Sequence, residues 1–439
     1  MSLVDITDVT LHPSDVIPLV GCSIDYPRPN SHTDIYEIDV AGWVLGPDGP
    51  PEAIELIQDD QLLRQIVLNI PRVEVAKLFP DVPNAERCGF WTSCGVTSLG
   101  TQFKIEIDAL FQNNVRVRLG TIRGRHQPLR SSFQPTLQPL MLTSLGRTGT
   151  TWLMQLLSQH PAIVAHTAHP NEVKSGSYWM HMLTVLAEPA NLGQSAHPDS
   201  FDATPFWVGN QPFHSVGITG RNSALREWLG RQYVEDLAGF CQRSIENFYV
   251  HLGMNQGRTS PMYFAEKHRP EKLPRIIWEL YPKSREVFLV RDFRDMLCSI
   301  FAFNARRGFS SFGREQAGDD EDYVRQLRSD AERLIAEWTE RSHRAHLVRY
   351  EDLVLHPEPT LEALFSYLDL DRDPLTIRGI LERASTDTEE SREHRTSSDP
   401  KSSIGRWRCE ADPQLRRWCD ETFTDLLPAF DYADHAVTA

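Results

Sequence analysis

The first third of the chain alternates apolar and polar residues with the period of a β-strand. Residues 103–108 follow this alternation, an Asn-Asn turn comes at 113–114, and the alternation resumes over 115–119. Because successive side chains of a strand point to opposite faces, the two segments predict a β-hairpin. Further strands are predicted over 35–45 and 54–57, separated by a turn rich in glycine and proline. Many short strands with frequent turns indicate a small β-sandwich.

From residue 140 onward, short apolar runs alternate with segments of helical apolar periodicity. This alternation is typical of an α/β domain whose parallel sheet is flanked by helices. We therefore predict a smaller N-terminal β-sandwich-like domain over 1–130 and an α/β domain over 131–439, with a proline-bearing linker at 123–139. The predicted strands cover 139–145, 263–267, 285–291 and 345–350, and the predicted helices cover 149–159, 173–187, 223–250, 271–280, 292–305, 320–341, 358–369 and 413–427.

The composition is that of a globular protein and disfavours several classes of function. The 439 residues exceed one ordinary domain, and 40% of them are hydrophobic and 24% charged. A net charge of −15 disfavours a nucleic-acid surface, because such surfaces are basic. Seven scattered cysteines without CxxC spacing predict neither a disulfide framework nor a zinc site. Since no signal peptide or membrane span is predicted, we expect a cytoplasmic protein without a membrane partner.

A glycine-bracketed polar loop follows the first strand of the predicted α/β domain. Gly146 and Gly149 enclose Arg147, and a helical pattern begins at Trp152. A strand, a tight turn and a helix start aim backbone N–H groups at one point, which is typical of a phosphate or sulfate ester site. The nucleotide P-loop pattern is not met, because Thr150 stands at its lysine position. An ordinary turn between strand and helix is the alternative interpretation.

This loop resembles the 5′-phosphosulfate loop of the sulfotransferases that use PAPS (3′-phosphoadenosine 5′-phosphosulfate). Cytosolic members of that family have Lys-Ser-Gly-Thr-Thr-Trp, and Arg147 replaces the lysine here, as in carbohydrate and tyrosylprotein members. The resemblance implies that Arg147 and the amides of residues 149–151 hold the 5′-phosphosulfate, and that Trp152 stacks on adenine. The residues assigned to this loop are Arg147, Thr148, Gly149, Thr150, Thr151 and Trp152.

A second motif matches the 3′-phosphate motif of the same family. Arg291 follows an apolar run, and Ser299 stands eight residues later on a predicted helix, so both donors face one cleft. The spacing resembles that of the Arg and Ser that hold the donor's 3′-phosphate. A surface Arg–Asp pair beside an ordinary helix serine is the alternative.

Two more segments are similar to family elements in the expected order. The strand 346–353 looks like the one whose tyrosine touches adenine, which implies this role for Tyr350. The segment 402–408 is similar to the C-terminal glycine-containing loop that closes over the 3′-phosphate, with Lys401, Ser402 and Arg406 as donors. An ordinary loop explains these cations equally well.

Four residues are candidates for the chemistry. Arg147 is the leading candidate for stabilising the bridging and sulfate oxygens. His268 stands two residues before Pro270, as the basic histidine does in cytosolic sulfotransferases, whereas Lys267 resembles the tyrosylprotein lysine near the leaving oxygen. Glu172, similar in place to the tyrosylprotein glutamate, is the rival base. We rank His268 first and Glu172 second as general base; a surface histidine and a helix-start acid are the alternatives.

The resemblance implies a sulfotransferase that moves the sulfuryl group from PAPS to a hydroxyl or amine, releases PAP and uses no metal. The expected acceptor is a small molecule or a carbohydrate, and the acidic net charge favours a neutral or cationic one. The aromatic segment 197–216 is a candidate acceptor pocket or lid, or else core. A nucleotide kinase or NTPase with a degenerate P-loop, and a non-catalytic binding protein with a nucleotide fold, are the alternatives. No oligomeric state is predicted.

Overall fold

The chain forms two compact units. One consists of Met1–Gln134, Tyr178–Arg243 and Pro274–Leu280, and the other of Pro135–Ser177, Ser244–Leu273 and Tyr281–Ala439. The first unit includes two later segments that the predicted division at residue 130 gave to the second domain; as a functional boundary, that division stays a prediction. The structure, a computed structural model, describes residues 2–12, 19–168, 171–190, 211, 213, 223–270, 275–384, 396 and 399–432.

The first unit contains two separate antiparallel sheets. The larger sheet has the strand order β3-β1-β9-β8-β5-β6 and the smaller one β2-β4-β7, which confirms the predicted smaller β-rich domain in this region. The strands are β1 Val4–Leu11, β2 Gly21–Tyr26, β3 His32–Thr33, β4 Glu37–Leu45, β5 Ala53–Gln58, β6 Gln61–Ile66, β7 Gly89–Gly95, β8 Gln102–Phe111 and β9 Val115–His126.

The predicted hairpin is formed by β8 and β9. Phe111 pairs with Val115 beside the turn, and Asn113 and Asn114 both have positive φ, 60° and 58°. Asparagine reaches this left-handed region at low cost, so the turn follows from local sequence. β9 continues to His126 because its last residues pair with β1. The predicted linker therefore begins inside a strand, since pairing with a distant segment overrides the polar local composition.

The second unit is built on a parallel five-stranded sheet. Its order is β11-β12-β10-β13-β14, and every neighbouring pair of strands is parallel. The four strands predicted from apolar runs are present within two residues at each end, and the two-residue β11 was not predicted. The strands are β10 Gln138–Thr143, β11 Ile163–Val164, β12 Tyr263–His268, β13 Arg285–Val290 and β14 Ala345–Arg349.

Helices connect the parallel strands, because a parallel pair needs a long crossover. A π-helical turn at Trp228–Gln232 lies between the fourth and fifth helices. The helices are α1 Val73–Leu78, α2 Thr150–Gln159, α3 Ser175–Ala187, α4 Ser223–Glu227, α5 Tyr233–Asn255, α6 Ile277–Leu280, α7 Phe293–Arg307, α8 Asp320–Arg341, α9 Tyr350–Leu355, α10 Pro357–Tyr367, α11 Pro374–Ala384, α12 Trp407–Glu410 and α13 Pro413–Phe423.

Most predicted helices are confirmed, with differences at their ends. α3 begins at Ser175, so Glu172 precedes this helix instead of opening it. The buried carboxylate of Glu266 accepts hydrogen bonds from the N–H groups of Gly176 and Ser177, which anchors the first turn there. The described helices α1, α9, α11 and α12 were not predicted. The aromatic segment 197–216 lies outside the described residues apart from positions 211 and 213.

Apolar side chains cover both faces of the parallel sheet. Val287 and Leu289 belong to a core that includes α2, α10 and α11, whereas Phe288 and Val290 belong to a second core that includes α7, α8 and α13. Because strand residues alternate between faces, an uninterrupted apolar strand is expected where both faces are covered. This arrangement places the carboxyl ends of the strands at a common edge, where polar loops follow.

The sheet core yields a stability prediction. Leu142 is fully buried in the core of α2, α10 and α11, so Leu142→Ala should lower the free energy of unfolding by about 2–5 kcal/mol, measured by urea denaturation. Leu355→Ala serves as the control, because this leucine is 47% exposed, and it should change that free energy by less than about 0.5 kcal/mol. Equal effects of the two substitutions would contradict the assigned core.

Candidate active site

The polar loops of the second unit meet at the carboxyl ends of its parallel strands. β10 lies between β12 and β13, so the chain crosses to opposite sides of β10 at this edge. Ligands of open α/β sheets bind at such switch points. A cavity of about 420 Å³ opens there, and residues that follow β10, β12, β13 and β14 all line it.

The first loop has a strained backbone that fixes its shape. Arg147 has φ +65°, and Gly149, which precedes α2, has φ +93°. A Cβ on Gly149 would lie 2.5 Å from Cδ2 of Tyr350, so only glycine fits. The Thr148 side chain is buried and its hydroxyl donates to the carbonyl of Leu145 at 3.0 Å. Thr148 thus stabilises the loop through this hydrogen bond. It is not among the described residues that line the cavity.

The first turn of α2 supplies an anion-binding element. Thr150, Thr151 and Trp152 line the cavity, and α2 has ten residues. The N–H groups of a first helical turn lack intrahelical partners and carry the positive end of the helix dipole, which favours an anion. Structure and sequence therefore agree on the position of this element.

Three guanidinium groups gather beside this helix start: Arg291 and Arg406 are buried, and Arg147 is half-buried. Arg147 Nε donates to Ser299 Oγ at 3.3 Å, and Arg291 donates to the carbonyls of Arg147 (3.1 Å) and Ser403 (2.6 Å). Burial, followed by repulsion from Arg291 and Arg406, lowers the pKa of Arg147 to about 10. Arg291 Nε is buried without a hydrogen-bond partner among the described residues. Like charges held this close favour binding of a multiply charged anion.

Aromatic rings flank the arginines. The guanidinium of Arg291 lies 4.6 Å above the Tyr350 ring, and that of Arg147 lies 4.5 Å from the Phe303 ring. The Tyr350 hydroxyl lies 2.9 Å from Ser403 Oγ. Trp152 and Tyr350 both line the cavity, so each predicted adenine contact is available to a ligand there.

The C-terminal loop contributes to the cavity through other residues than those predicted. Lys401 and Ser402 are exposed and are not among the described lining residues, whereas Ser403 lines the cavity. Arg406 is buried and donates to Glu410 and to Thr396 Oγ1, the latter at 2.8 Å. Its positive charge lies near Arg147 and contributes to lowering the pKa of that residue.

A buried carboxylate holds this loop in place. Asp295 on α7 accepts hydrogen bonds from the N–H groups of Gly405 (2.6 Å) and Trp407 (3.0 Å). Burial raises the pKa of Asp295. Sequence reasoning missed this residue, although it lies four positions after Arg291, because nothing local shows that its partners lie 110 and 112 positions away.

Asp292 does not pair with Arg291. Its carboxylate caps α7 by accepting from the N–H of Arg294 at 2.9 Å, and it also accepts two hydrogen bonds from the Arg294 side chain. The alternative interpretation of a surface Arg–Asp pair therefore does not describe this segment. Arg291 and Ser299 both line the cavity.

Lys267 and Glu172 form an ion pair at the cavity. Lys267 Nζ lies 3.2 Å from Glu172 Oε1 and 3.2 Å from Thr151 Oγ1 on α2. The lysine is buried, whereas the Glu172 side chain is 43% exposed. Burial lowers the pKa of Lys267, and the charge of Glu172 opposes that shift. A cation and an accessible carboxylate thus lie beside the helix start.

His268 has a different environment. Its side chain is 1% exposed; Nδ1 lies 3.3 Å from Ser177 Oγ, and Nε2 lies 3.5 Å from Glu266 Oε2. Burial raises the pKa of Glu266, but the nearby His268 and the hydrogen bonds from Tyr249 and Gly176 outweigh this and lower it overall. His268 lines the cavity, and its Nε2 is buried without a hydrogen-bond partner among the described residues. Sequence reasoning missed Glu266, although the neighbouring Lys267 had been singled out.

Phe312 is an unusual member of the cavity wall. It has φ +63°, a left-handed conformation that costs a bulky residue about 1–3 kcal/mol. Its carbonyl accepts from the Tyr323 hydroxyl at 3.1 Å, and the Ser311 hydroxyl next to it donates to Asn304 at 2.6 Å. The ring lies 2.8 Å from the place of a Cβ on Gly146. These contacts hold the ring at the first loop.

Two properties of the described chain bear on its surroundings. Within that part of the chain, no group of three or more His, Cys, Asp or Glu residues is placed to hold a metal ion. None of the described helices combines the length and apolarity that a membrane crossing requires. The cytoplasmic location stays a prediction.

The chain was compared with known families and structures. No curated protein matches it. The sulfotransferase domain from the curacin biosynthetic pathway is 17% identical, covers 66% of this chain and 98% of its own, and has a TM-score of 0.36. Mouse sulfotransferase SULT7A1 complexed with PAP is 12% identical, covers 69% and 88%, and has a TM-score of 0.36.

The match to a family model covers most of the residues that line the cavity. A model described as "Sulfotransferase family" matches residues 139–374, which include β10 to β14 and the loops that carry Arg147, Lys267 and Arg291. The matched segment is more than half of the chain. This protein therefore belongs to the sulfotransferase family.

Proposed function

We propose that this protein transfers the sulfuryl group of PAPS to a hydroxyl or amine of a neutral or cationic small-molecule or carbohydrate acceptor and releases PAP. The observation that carries the proposal is the cluster of Arg147, Arg291 and Arg406 beside the first turn of α2. These groups repel one another, and Arg291 retains a buried Nε without a partner among the described residues. A ligand with several negative charges relieves both costs.

The residues present fit the two charged ends of PAPS. Arg147 and the amides of residues 149–151 would hold the 5′-phosphosulfate, and Arg291 with Ser299 would hold the 3′-phosphate. Arg147 Nε lies 3.3 Å from Ser299 Oγ, so the two predicted anion sites open into one cavity. Trp152 and Tyr350 line this cavity and offer apolar faces to the adenine.

The reaction requires an in-line arrangement and compensation of charge on the leaving oxygen. PAPS supplies an activated sulfuryl group with PAP as its leaving group. A bond forms between sulfur and the acceptor oxygen or nitrogen, the bond from sulfur to the PAP oxygen breaks, and the acceptor group loses a proton to a base. Lys267 and Arg147 are the cations near the helix start, and they would stabilise the charge that develops on the PAP oxygen.

The surroundings of the two candidate bases favour Glu172. Its carboxylate is partly exposed at the cavity and lies 3.2 Å from Lys267 Nζ. His268 lines the same cavity, and its Nε2 lacks a hydrogen-bond partner among the described residues, but its side chain is only 1% exposed and Nε2 lies 3.5 Å from Glu266. The imidazole is therefore far less accessible to an acceptor than the carboxylate of Glu172. We therefore propose Glu172 as the base that takes the acceptor proton, and His268 as a residue that supports β12 and the start of α3. This reverses the order expected from sequence.

Nucleotide binding tests the proposal directly. We expect calorimetry to detect PAP binding and no comparable binding of ATP with Mg²⁺, because Thr150 replaces the P-loop lysine. Sulfuryl transfer from PAPS to a mixture of simple phenols, alcohols and amines should follow. Tight binding of ATP with Mg²⁺ and none of PAP would support the degenerate P-loop alternative.

Arg147→Ala provides the matched test of the arginine cluster. Loss of a charge-assisted hydrogen bond should weaken PAP binding by roughly 10- to 100-fold. Arg325→Ala is the control, because Arg325 is an exposed α8 residue paired with Glu321. The Arg325→Ala variant should bind PAP with the affinity of the parent protein. If both variants bind PAP like the parent protein, the arginine cluster does not hold the donor.

If Glu172 is the base, its substitution should lower kcat without weakening PAP binding. Glu172→Gln should lower kcat by roughly 10²- to 10⁴-fold, the usual contribution of a general base, while PAP affinity stays within a few-fold. His268→Gln should lower kcat much less. Single-turnover transfer from PAPS measures the chemical step in each variant. A Glu172→Gln variant with parental kcat, together with a large loss in His268→Gln, would restore the histidine as base.

The lowered pKa of Lys267 leads to a prediction of how kcat/KM changes at alkaline pH. Burial lowers its pKa below the ordinary lysine value of 10.5, and its positive charge is present below that pKa and lost as pH rises through it. The value of kcat/KM for PAPS should therefore fall at a pH below 10.5. In Lys267→Arg, which keeps its charge, this fall should move to higher pH. An identical alkaline fall in both proteins would exclude Lys267 as its origin.

A further inference from the structure

Part of the cavity wall is not used by the proposed donor contacts. It is formed by α8, by Phe312 in the loop before α8, and by Arg269 after β12. Tyr323, Leu327 and Asp330 stand at positions i, i+4 and i+7 of α8, so they share one face of the helix. All three line the cavity. The wall is therefore a stripe that begins with an aromatic ring and ends with a carboxylate.

The aromatic end of this stripe is fixed in place. The Tyr323 hydroxyl donates a hydrogen bond to the Phe312 carbonyl at 3.1 Å. This bond and the hydrogen bond from Ser311 to Asn304 stabilise the left-handed backbone of Phe312. A backbone outlier persists only where its surroundings enforce it, and such outliers cluster at functional sites. The enforced conformation places a flat apolar ring next to Gly146 and Arg147, where the sulfuryl group would be held.

The other end of the stripe is polar. Arg269 Nη2 donates to Asp330 Oδ2 at 2.8 Å, and the side chains are 48% and 28% exposed. An anionic acceptor would have to compete with Asp330 for Arg269 while lying near the negative charges of the donor. A neutral or cationic group can instead bind Asp330 without that repulsion. The Asp330 carboxylate thus disfavours anionic acceptors and favours neutral or cationic ones.

We propose that the wall formed by Phe312, Tyr323, Leu327 and Asp330 is the acceptor subsite. It takes an aromatic alcohol with a flat apolar body on Phe312 and Tyr323, whose polar substituent is neutral or cationic and lies toward Asp330. This inference rests on the proposed function, because it assumes that the donor occupies the arginine cluster. It adds the class of acceptor and the residues that select it.

Binding to the PAP-saturated protein tests the charge selection. Three phenols of similar size are compared by calorimetry: 4-ethylphenol, tyramine and 4-hydroxyphenylacetate. The neutral and the cationic phenol should bind at least ten-fold more tightly than the anionic one. Asp330→Asn should reduce this difference to within about three-fold. Glu332→Gln, an exposed position on the same helix, should keep the parental difference.

A matched pair of phenylalanines tests the aromatic end. Phe312→Leu should weaken binding of 4-ethylphenol by roughly five-fold or more, with PAP affinity within about two-fold of the parent. Phe309→Leu is the control, because Phe309 lies in the same loop, is 56% exposed and is not among the described lining residues. Thermal unfolding of each variant shows whether it is folded, and Phe312→Tyr should restore binding if Phe312→Leu alone is destabilised.

The outcomes separate the two proposals. Normal PAP binding with no binding of any phenol at millimolar concentration overturns the acceptor subsite and leaves the proposed function intact. Binding of all three phenols with equal affinity, or an unchanged difference in Asp330→Asn, overturns the charge selection. Failure of PAP itself to bind overturns the proposed function, and the acceptor subsite falls with it.

Discussion

The crowding of like charges at one sheet edge is the constraint on which the site depends. Arg291 and Arg406 are buried close to the half-buried Arg147, and burial, followed by the charges of these two arginines, lowers the pKa of Arg147 to about 10. Such crowding is unfavourable by itself, so the fold has to enforce it. The parallel sheet does this by bringing the loops after β10 and β13 together, and the buried carboxylate of Asp295 adds the C-terminal loop. An anionic ligand converts this cost into affinity.

The polar contacts around the cavity form two sets with different roles. One set is buried and holds the backbone, as Glu266 does for α3 and Asp295 does for the loop at 402–408. The other set remains accessible, as Glu172 and Asp330 do. Because accessible carboxylates can exchange partners at little cost while buried ones cannot, only the second set is suited to proton transfer or to acceptor recognition.

Much of the fold could be predicted because its signals are local. Apolar runs gave four of the five parallel strands, and the Asn113-Asn114 turn gave the hairpin. What could not be predicted depends on distant pairing: the end of β9 pairs with β1, and α9 and α11 lack a strong local signal. In the site, Arg147, Arg291 and Ser299 were singled out through their spacing and line one cavity, while their roles stay predictions. Ser403 in place of Lys401 and Ser402 was missed, since exposure in a loop is not encoded by residue type.

The sequence by itself determined the loop after β10, since a glycine-bracketed turn between a strand and a helix is formed by consecutive residues. It also determined which residue types follow the strands. Only the tertiary structure decided the surroundings of Lys267, His268 and Glu172. Lys267 and Glu172 are 95 positions apart in the chain yet form an ion pair, and His268 is turned toward Glu266. Adjacent residues of a strand point to opposite faces of the sheet. Lys267 is therefore paired with Glu172, whereas the next residue, His268, is directed at Glu266.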